Sequence, residues 1–147
     1  MKKNCAGFSL VEIMVAVALV AILAAVAIPS YNSGVIKSKR ALGKGELMRV
    51  VARQEQYFVD NKGYATDLTA LGYSGNPYYI DENNDATVAA SSIYQIAFAS
   101  GASASAFIIQ AIPQNSQTSD AECGTLQLSS TGTKSITGGS ASAGYCW

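Results

Sequence analysis

Residues 8–28 read FSLVEIMVAVALVAILAAVAI, a run whose only charge is Glu12; residues 13–28 carry none. As an α-helix these residues extend roughly 31 Å, the thickness of a bilayer's hydrocarbon layer. A buried core helix is a poor reading of so long an uncharged run at the start of a 147-residue chain. A cleaved secretory signal is the stronger rival. Lys2 and Lys3 supply a basic flank, and Ala25 with Ala27 resembles a small-residue cleavage site. Against that reading, the run is long for a signal core, Glu12 lies near its start, and Pro29 closely follows Ala27.

Composition narrows the function classes. Ten Lys and Arg balance ten Asp and Glu, and charged residues make up only 14% of the chain, well below the usual quarter. With 49% hydrophobic residues the chain is too apolar to be disordered. A strongly basic nucleic-acid binder is disfavoured on bulk charge. The chain has no histidine, which removes Ser-His and Cys-His nucleophile pairs and histidine-ligated metals. Three cysteines fall short of a four-thiolate zinc site. Neither a catalytic residue, a cofactor nor a metal is expected.

The leader and the start of the apolar run, MKKNCAG then FSLVE, resemble the type IV prepilin signature: a short basic leader ending in Gly7, then Phe8, then Glu12 as the fifth residue after the cut. Pro29 and Tyr31 match the downstream pattern of the same family, with Ser9 replacing its usual Thr. The resemblance implies a type IVa pilin. It implies cleavage between Gly7 and Phe8 by a prepilin peptidase/N-methyltransferase at the cytoplasmic face, N-methylation of Phe8, and retention of the apolar helix. Lys2 and Lys3 favour a cytoplasmic N-terminus, although Lys37, Lys39, Arg40 and Lys44 on the far flank make charge alone ambiguous. A carboxylate inside the apolar zone costs a few kcal/mol. The resemblance implies that Glu12 pairs with the Phe8 amine of a neighbouring subunit. A pair within one chain is the alternative, because residues 8 and 12 are one helical turn apart. Pro29 cannot donate to the Ala25 carbonyl and is expected to kink or loosen the helix. The family implies that this region can unwind in the filament.

Working outward, residues 30–61 turn amphipathic, with Leu47, Val50, Val51, Tyr57 and Phe58 at spacings of three and four. Glu46 and Arg49 are placed to pair at i,i+3. Asn61-Lys62-Gly63 reads as a stop, so Phe8 to about Asp60 is expected as one helix of roughly 80 Å. Gly43 and Gly45 weaken it locally. The basic group Lys37–Lys44 offers a phospholipid or DNA contact, against which stands a solvated face or pairing with acidic neighbours. Residues 61–91 read as a loop with one short helix capped by Thr66 and ended by Gly72. Asp81, Asn83 and Asp85 alternate like the start of a calcium loop, but Ala86 and Ser92 occupy the positions that need Gly and Glu, so an acidic turn is expected. Strands follow over residues 93–99, 106–112, 125–129 and 134–137, making an antiparallel sheet on the second half of the helix.

Cys5 lies in the leader. Cys123 and Cys146 form an even pair in an exported domain and read as a disulfide; two free thiols are the alternative. The ending from Asp120 through Cys146-Trp147 resembles the disulfide-closed terminal loop of pilins, PilE-type pilins in particular. The expected organisation is α+β: leader 1–7, transmembrane and assembly helix 8–28, amphipathic helix 29–60, αβ-loop 61–91, and sheet with terminal loop 92–147. The expected function is a structural subunit of a type IV pilus. It is stored as a single-pass inner-membrane protein and then assembled into an extracellular filament for adhesion, twitching motility or DNA uptake. Gly7 and Phe8 carry processing, Glu12 and Pro29 assembly, and Cys123 and Cys146 the head. Expected partners are the same and other pilins in a helical filament, the peptidase, the inner-membrane assembly platform, and the membrane before assembly. One alternative is a pseudopilin of a type II secretion system. Another is a minor pilin that receives DNA, weighed against by two lysines facing seven acids from Asp60 onward. Nucleic acid is therefore not an expected partner.

Overall fold

The computed structural model describes residues 9–99 and 102–147, so Cys5, Gly7 and Phe8 lie outside the described residues. Helix α1 runs from Leu10 to Asn61 as one 52-residue element and continues through Pro29. The chain divides into two compact units, one ending at Val35 and the other spanning Ile36–Trp147.

In the first unit the helix presents its apolar side chains on every face. The large side chains from Leu10 to Ile28 remain at least half exposed, from 50% at Ile13 to 75% at Leu10. This part of α1 is long and apolar enough to cross a membrane.

In the second unit α1 buries one stripe: Arg40, Gly43, Glu46, Leu47, Val50 and Gln54. Steps of three and four hold these residues on one helical face, because 3.6 residues complete a turn. That face packs on a six-stranded antiparallel sheet. Its strands are β1 (Tyr78–Ile80), β2 (Ala86–Thr87), β3 (Tyr94–Phe98), β4 (Ile108–Pro113), β5 (Thr125–Ser129) and β6 (Lys134–Thr137), in the order β2-β1-β3-β4-β5-β6. Register pairs Ile96 with Ala111, Ala111 with Leu126, and Leu126 with Ile136. Strand residues alternate between faces, so Ile80, Tyr94, Ile96, Ile109, Ala111, Leu126 and Leu128 all reach the core with Leu47 and Val50. Gly43 has a packing role as well as a propensity cost. A Cβ there would stand 2.9 Å from the Tyr94 ring, so glycine lets that ring lie against the helix backbone.

The loop reading of residues 78–87 and the Thr66 cap are corrected, while the stop at Lys62 and the acidic turn stand as expected. Strands β1 and β2 fall inside the segment read as loop; at three and two residues they are too short to show a period. Asp67, not Thr66, caps the short helix, which is a 3-10 turn over Leu68–Leu71. Its Oδ1 accepts the Thr69 N–H at 2.8 Å, and Gly72 ends the turn at φ 82°. Helix α1 stops at Lys62, which adopts φ 58° and donates its N–H to the Phe58 carbonyl at 2.8 Å. The acidic turn is self-closed: Asp81 Oδ1 accepts the N–H groups of Asn83 at 2.8 Å and Asp85 at 3.0 Å. Its carboxylate therefore serves the turn, as expected of an Asx-type loop rather than an ion cradle.

A short helix α2 (Ala143–Cys146) ends the chain, and the Cys123–Cys146 disulfide joins it to the approach to β5. The backbone crosses itself closely here: a Cβ on Gly139 would stand 2.5 Å from the Glu122 carbonyl oxygen. Backbone bonds from Ala141 N–H to Glu122 at 2.8 Å and from Gly124 N–H to Asp120 at 3.0 Å tie the loop together.

Candidate functional site: an apolar helix and a latched head

The first functional surface is the exposed helix. Glu12 sits in the first turn of α1 and Pro29 within it, both among exposed residues. A continuous apolar surface of this extent marks a membrane or protein contact, because leaving it in water costs roughly 25 cal/mol per Å². A carboxylate at its start is the one group there able to answer a cation.

The second is the set of polar contacts that fix the head to its own helix. Arg40 forms a bidentate pair with Asp120: Nε to Oδ2 at 2.8 Å and a terminal nitrogen to Oδ1 at 2.7 Å, with side chains only 5% and 1% exposed. Such forked, charge-assisted bonds are about twice as strong as neutral ones. Hydrogen bonding to Asp120 raises the Arg40 pKa above its ordinary value, against the opposing effect of burial. Gln117 donates to Asp120 at 3.3 Å and to the Tyr94 hydroxyl at 3.1 Å. Two more of the basic group are also held within the head, while Lys37 is exposed. Lys39 pairs with Glu82 at 2.5 Å, and Lys44 lies 3.5 Å from the Trp147 carbonyl. The outcome for this group is largely pairing with nearby partners.

Burial pushes the Tyr94 phenol up to about 12. A group whose folded pKa is raised contributes stability that is complete below its unfolded pKa of about 10 and is lost as pH climbs through the folded value. The head's melting temperature should therefore fall between about pH 10 and pH 12. Two units correspond to about 2.7 kcal/mol at most. Tyr94→Phe should shallow that fall, and circular dichroism melts of detergent-extracted protein across this range check it. Equal slopes in the two proteins would remove Tyr94 from the account.

A second polar cluster joins α1 to the αβ-loop. The Tyr78 hydroxyl donates to Glu46 Oε1, and Arg49 stands 3.0 Å from Glu46 Oε2. Tyr73 stacks on Tyr78 with ring centroids 4.3 Å apart, and the Arg53 guanidinium lies 4.4 Å from the Tyr73 centroid. Burial, then the bond to Glu46, raises the Tyr78 pKa well above its ordinary value. These residues and Asn84 line a cavity of about 240 Å³. The two arginines make it a poor cation site, and among the described residues no cluster of three metal-ligating side chains occurs. One turn further along, Gln54 clamps Ala65 both ways, donating to its carbonyl at 2.7 Å and accepting its N–H at 2.9 Å. Sequence reading found the Glu46–Arg49 pair but missed that Glu46 and Gln54 are buried. Their place on the apolar stripe with Leu47 and Val50 was the available signal.

Charge also reads differently on the folded unit. From Ile36 onward, eight lysines and arginines stand against nine acids, because the helix cations belong to the head. The net charge of the head unit is −1, not the −5 obtained by counting from Asp60.

The prokaryotic N-terminal methylation motif matches residues 2–28. The chain is 33% identical over 75 residues to the type IV major pilin protein PilA of Myxococcus xanthus, covering 49% of this chain and 34% of that one. It is 32% identical over 89 residues to type II secretion system core protein G of Pseudomonas aeruginosa, covering 57% and 63%. It is 38% identical over 77 residues to the type IV major fimbrial protein FimA of Dichelobacter nodosus, covering 52% and 48%. The matches thus span between about a third and just under two thirds of these relatives. A family profile described as type IV minor pilin ComP, DNA uptake sequence receptor, matches residues 29–127, and with the long helix, antiparallel sheet and terminal disulfide it places this chain in that type IV pilin family.

Proposed function

We propose that the protein is a structural subunit of a type IV pilus, held in the inner membrane by the first half of α1 and then polymerised with other pilins into an extracellular filament. The observation that carries this reading is the helix itself. Its first half exposes apolar side chains on all faces, while one stripe of its second half is buried against a disulfide-closed head. The apolar half is suited to lipid before assembly and to neighbouring helices after it. In this reading a prepilin peptidase/N-methyltransferase cuts between Gly7 and Phe8 and methylates the new amine. An inner-membrane platform then drives insertion into the filament. Glu12 neutralises the Phe8 amine of a neighbour and sets axial register, and Pro29 loosens the helix to fit the bundle. The role is that of a building block, without catalysis. Deleting the gene should reduce or abolish surface pili and twitching while leaving type II secretion intact. Loss of secretion with normal pili would favour the pseudopilin reading instead.

A second reading, DNA reception, is favoured by the family description of residues 29–127. The head unit's near-neutral charge opposes phosphate less than the count from Asp60 suggested. Binding through lysine contacts must weaken steeply with salt. A gel-shift titration of detergent-solubilised protein with duplex DNA at two salt concentrations, beside a transformation assay, tests it. Absence of any shift at low salt together with normal transformation in the deletion strain rejects it.

A further inference from the structure

We propose that the Arg40–Asp120 pair positions Cys123 for pairing with Cys146, so that docking of the terminal loop on the helix and closure of the disulfide strengthen one another. The Asp120 carboxylate accepts two bonds from Arg40, one from Gln117 Nε2 at 3.3 Å and one from the Cys123 N–H at 3.3 Å. One carboxylate therefore grips the helix on one side and the cysteine backbone on the other. The Asp120 carbonyl also accepts the Gly124 N–H at 3.0 Å, which fixes the turn that carries Cys123. Between β6 and α2, Ala141 N–H bonds to the Glu122 carbonyl at 2.8 Å and brings the Cys146 segment alongside. Both cysteines are fully buried. Their thiols are thus aligned by contacts that do not need the disulfide. Arg40 joins Asp120 across 80 residues of sequence, so its part of this alignment exists only when the loop is docked on its own helix. By linkage, whatever the disulfide contributes to docking, docking returns to the disulfide.

The coupled reaction is thiol–disulfide exchange with glutathione disulfide. The Cys123 and Cys146 thiols are oxidised to one disulfide. Glutathione disulfide is reduced to two glutathione molecules, which take up the two protons; a mixed disulfide is the intermediate. The test equilibrates detergent-solubilised full chain with glutathione buffers of graded ratio and quantifies oxidised and reduced protein by thiol trapping and mass spectrometry. Arg40→Met and Asp120→Asn should each shift the equilibrium toward the reduced form by about tenfold or more, the scale of losing a hydrogen bond to a charged group. Lys37→Ala, which removes an exposed cation of the same helix, should leave the equilibrium unchanged. A single variant that leaves a buried charge unpaired risks unfolding, so the double variant Arg40→Met/Asp120→Leu, which buries no charge, is included. It should remain folded by circular dichroism and still show the shift, because the carboxylate that joins Arg40 to the Cys123 N–H is then gone. A folded double variant with the wild-type glutathione equilibrium would overturn the proposal, as would folded single variants with no shift.

Discussion

Glu12→Ala is expected to leave membrane insertion and leader cleavage intact and to lower incorporation into filaments by roughly a hundredfold. The magnitude follows from placing an unpaired charge in an apolar core, about 3 kcal/mol on insertion scales. Removing Glu12 makes the segment more apolar, so entry into the membrane should not suffer. The proposed cut after Gly7 precedes Glu12 in sequence and should survive the change. On the proposed pairing, what is lost is the counter-charge for a neighbour's Phe8 amine. Glu12→Gln keeps the side chain's size and should fail in the same way, which separates charge from packing. If Glu12 only favours the start of its own helix, the loss would be a few tenths of a kcal/mol to about 1 kcal/mol, and filament yield would barely move. The comparison is sheared surface filament against membrane pool, in wild type and variant. Wild-type incorporation by either variant would reject the register role.

The second large effect concerns the disulfide. Cys123 and Cys146 are separated by 23 residues, and closing such a loop restricts the unfolded chain by about 3 kcal/mol. Cys123→Ser/Cys146→Ser should lower the head's melting temperature by about 10 °C or more. The fold should nonetheless persist, because the core of Leu47, Val50, Ile96, Ile109 and Leu126 lies between α1 and the sheet. Far-ultraviolet circular dichroism below the transition should therefore match wild type. An unchanged melting temperature would mean that the terminal loop contributes nothing to head stability.

What was legible in the sequence follows the range of each signal. The apolar run from residue 8 to 28 announces its helix because 21 residues carry a single charge, Glu12. Strands β3 to β6 show in alternations such as Tyr94, Ile96, Phe98 and Leu126, Leu128, which are local. By contrast β1 and β2 are created by pairing: Tyr79 opposite Thr87 and Ile80 opposite Ala86 cannot be read from either side alone. The same holds for the latch. Arg40 reads as one of four cations on a solvated face or paired with acidic neighbours, and nothing near it in sequence reveals that the partner is Asp120. Glu46 resembled a surface partner of Arg49, yet Tyr78, 32 residues on, takes its other oxygen. Polar residues whose partners lie within one turn were found and those whose partners arrive through folding were not; Cys123 and Cys146 are the exception, because an even pair of thiols in an exported domain has its own signal.

The central claim is that this chain is processed at its leader and carried into a filament with its apolar helix intact. Intact-mass analysis of the protein recovered from sheared surface filaments tests this most directly. The account predicts a chain beginning at Phe8, one methyl group heavier than the unmodified sequence 8–147, with the two cysteines oxidised. A chain retaining Met1, or one starting at Ile28 or later, or the absence of the protein from filaments while it is abundant in the membrane, would contradict it.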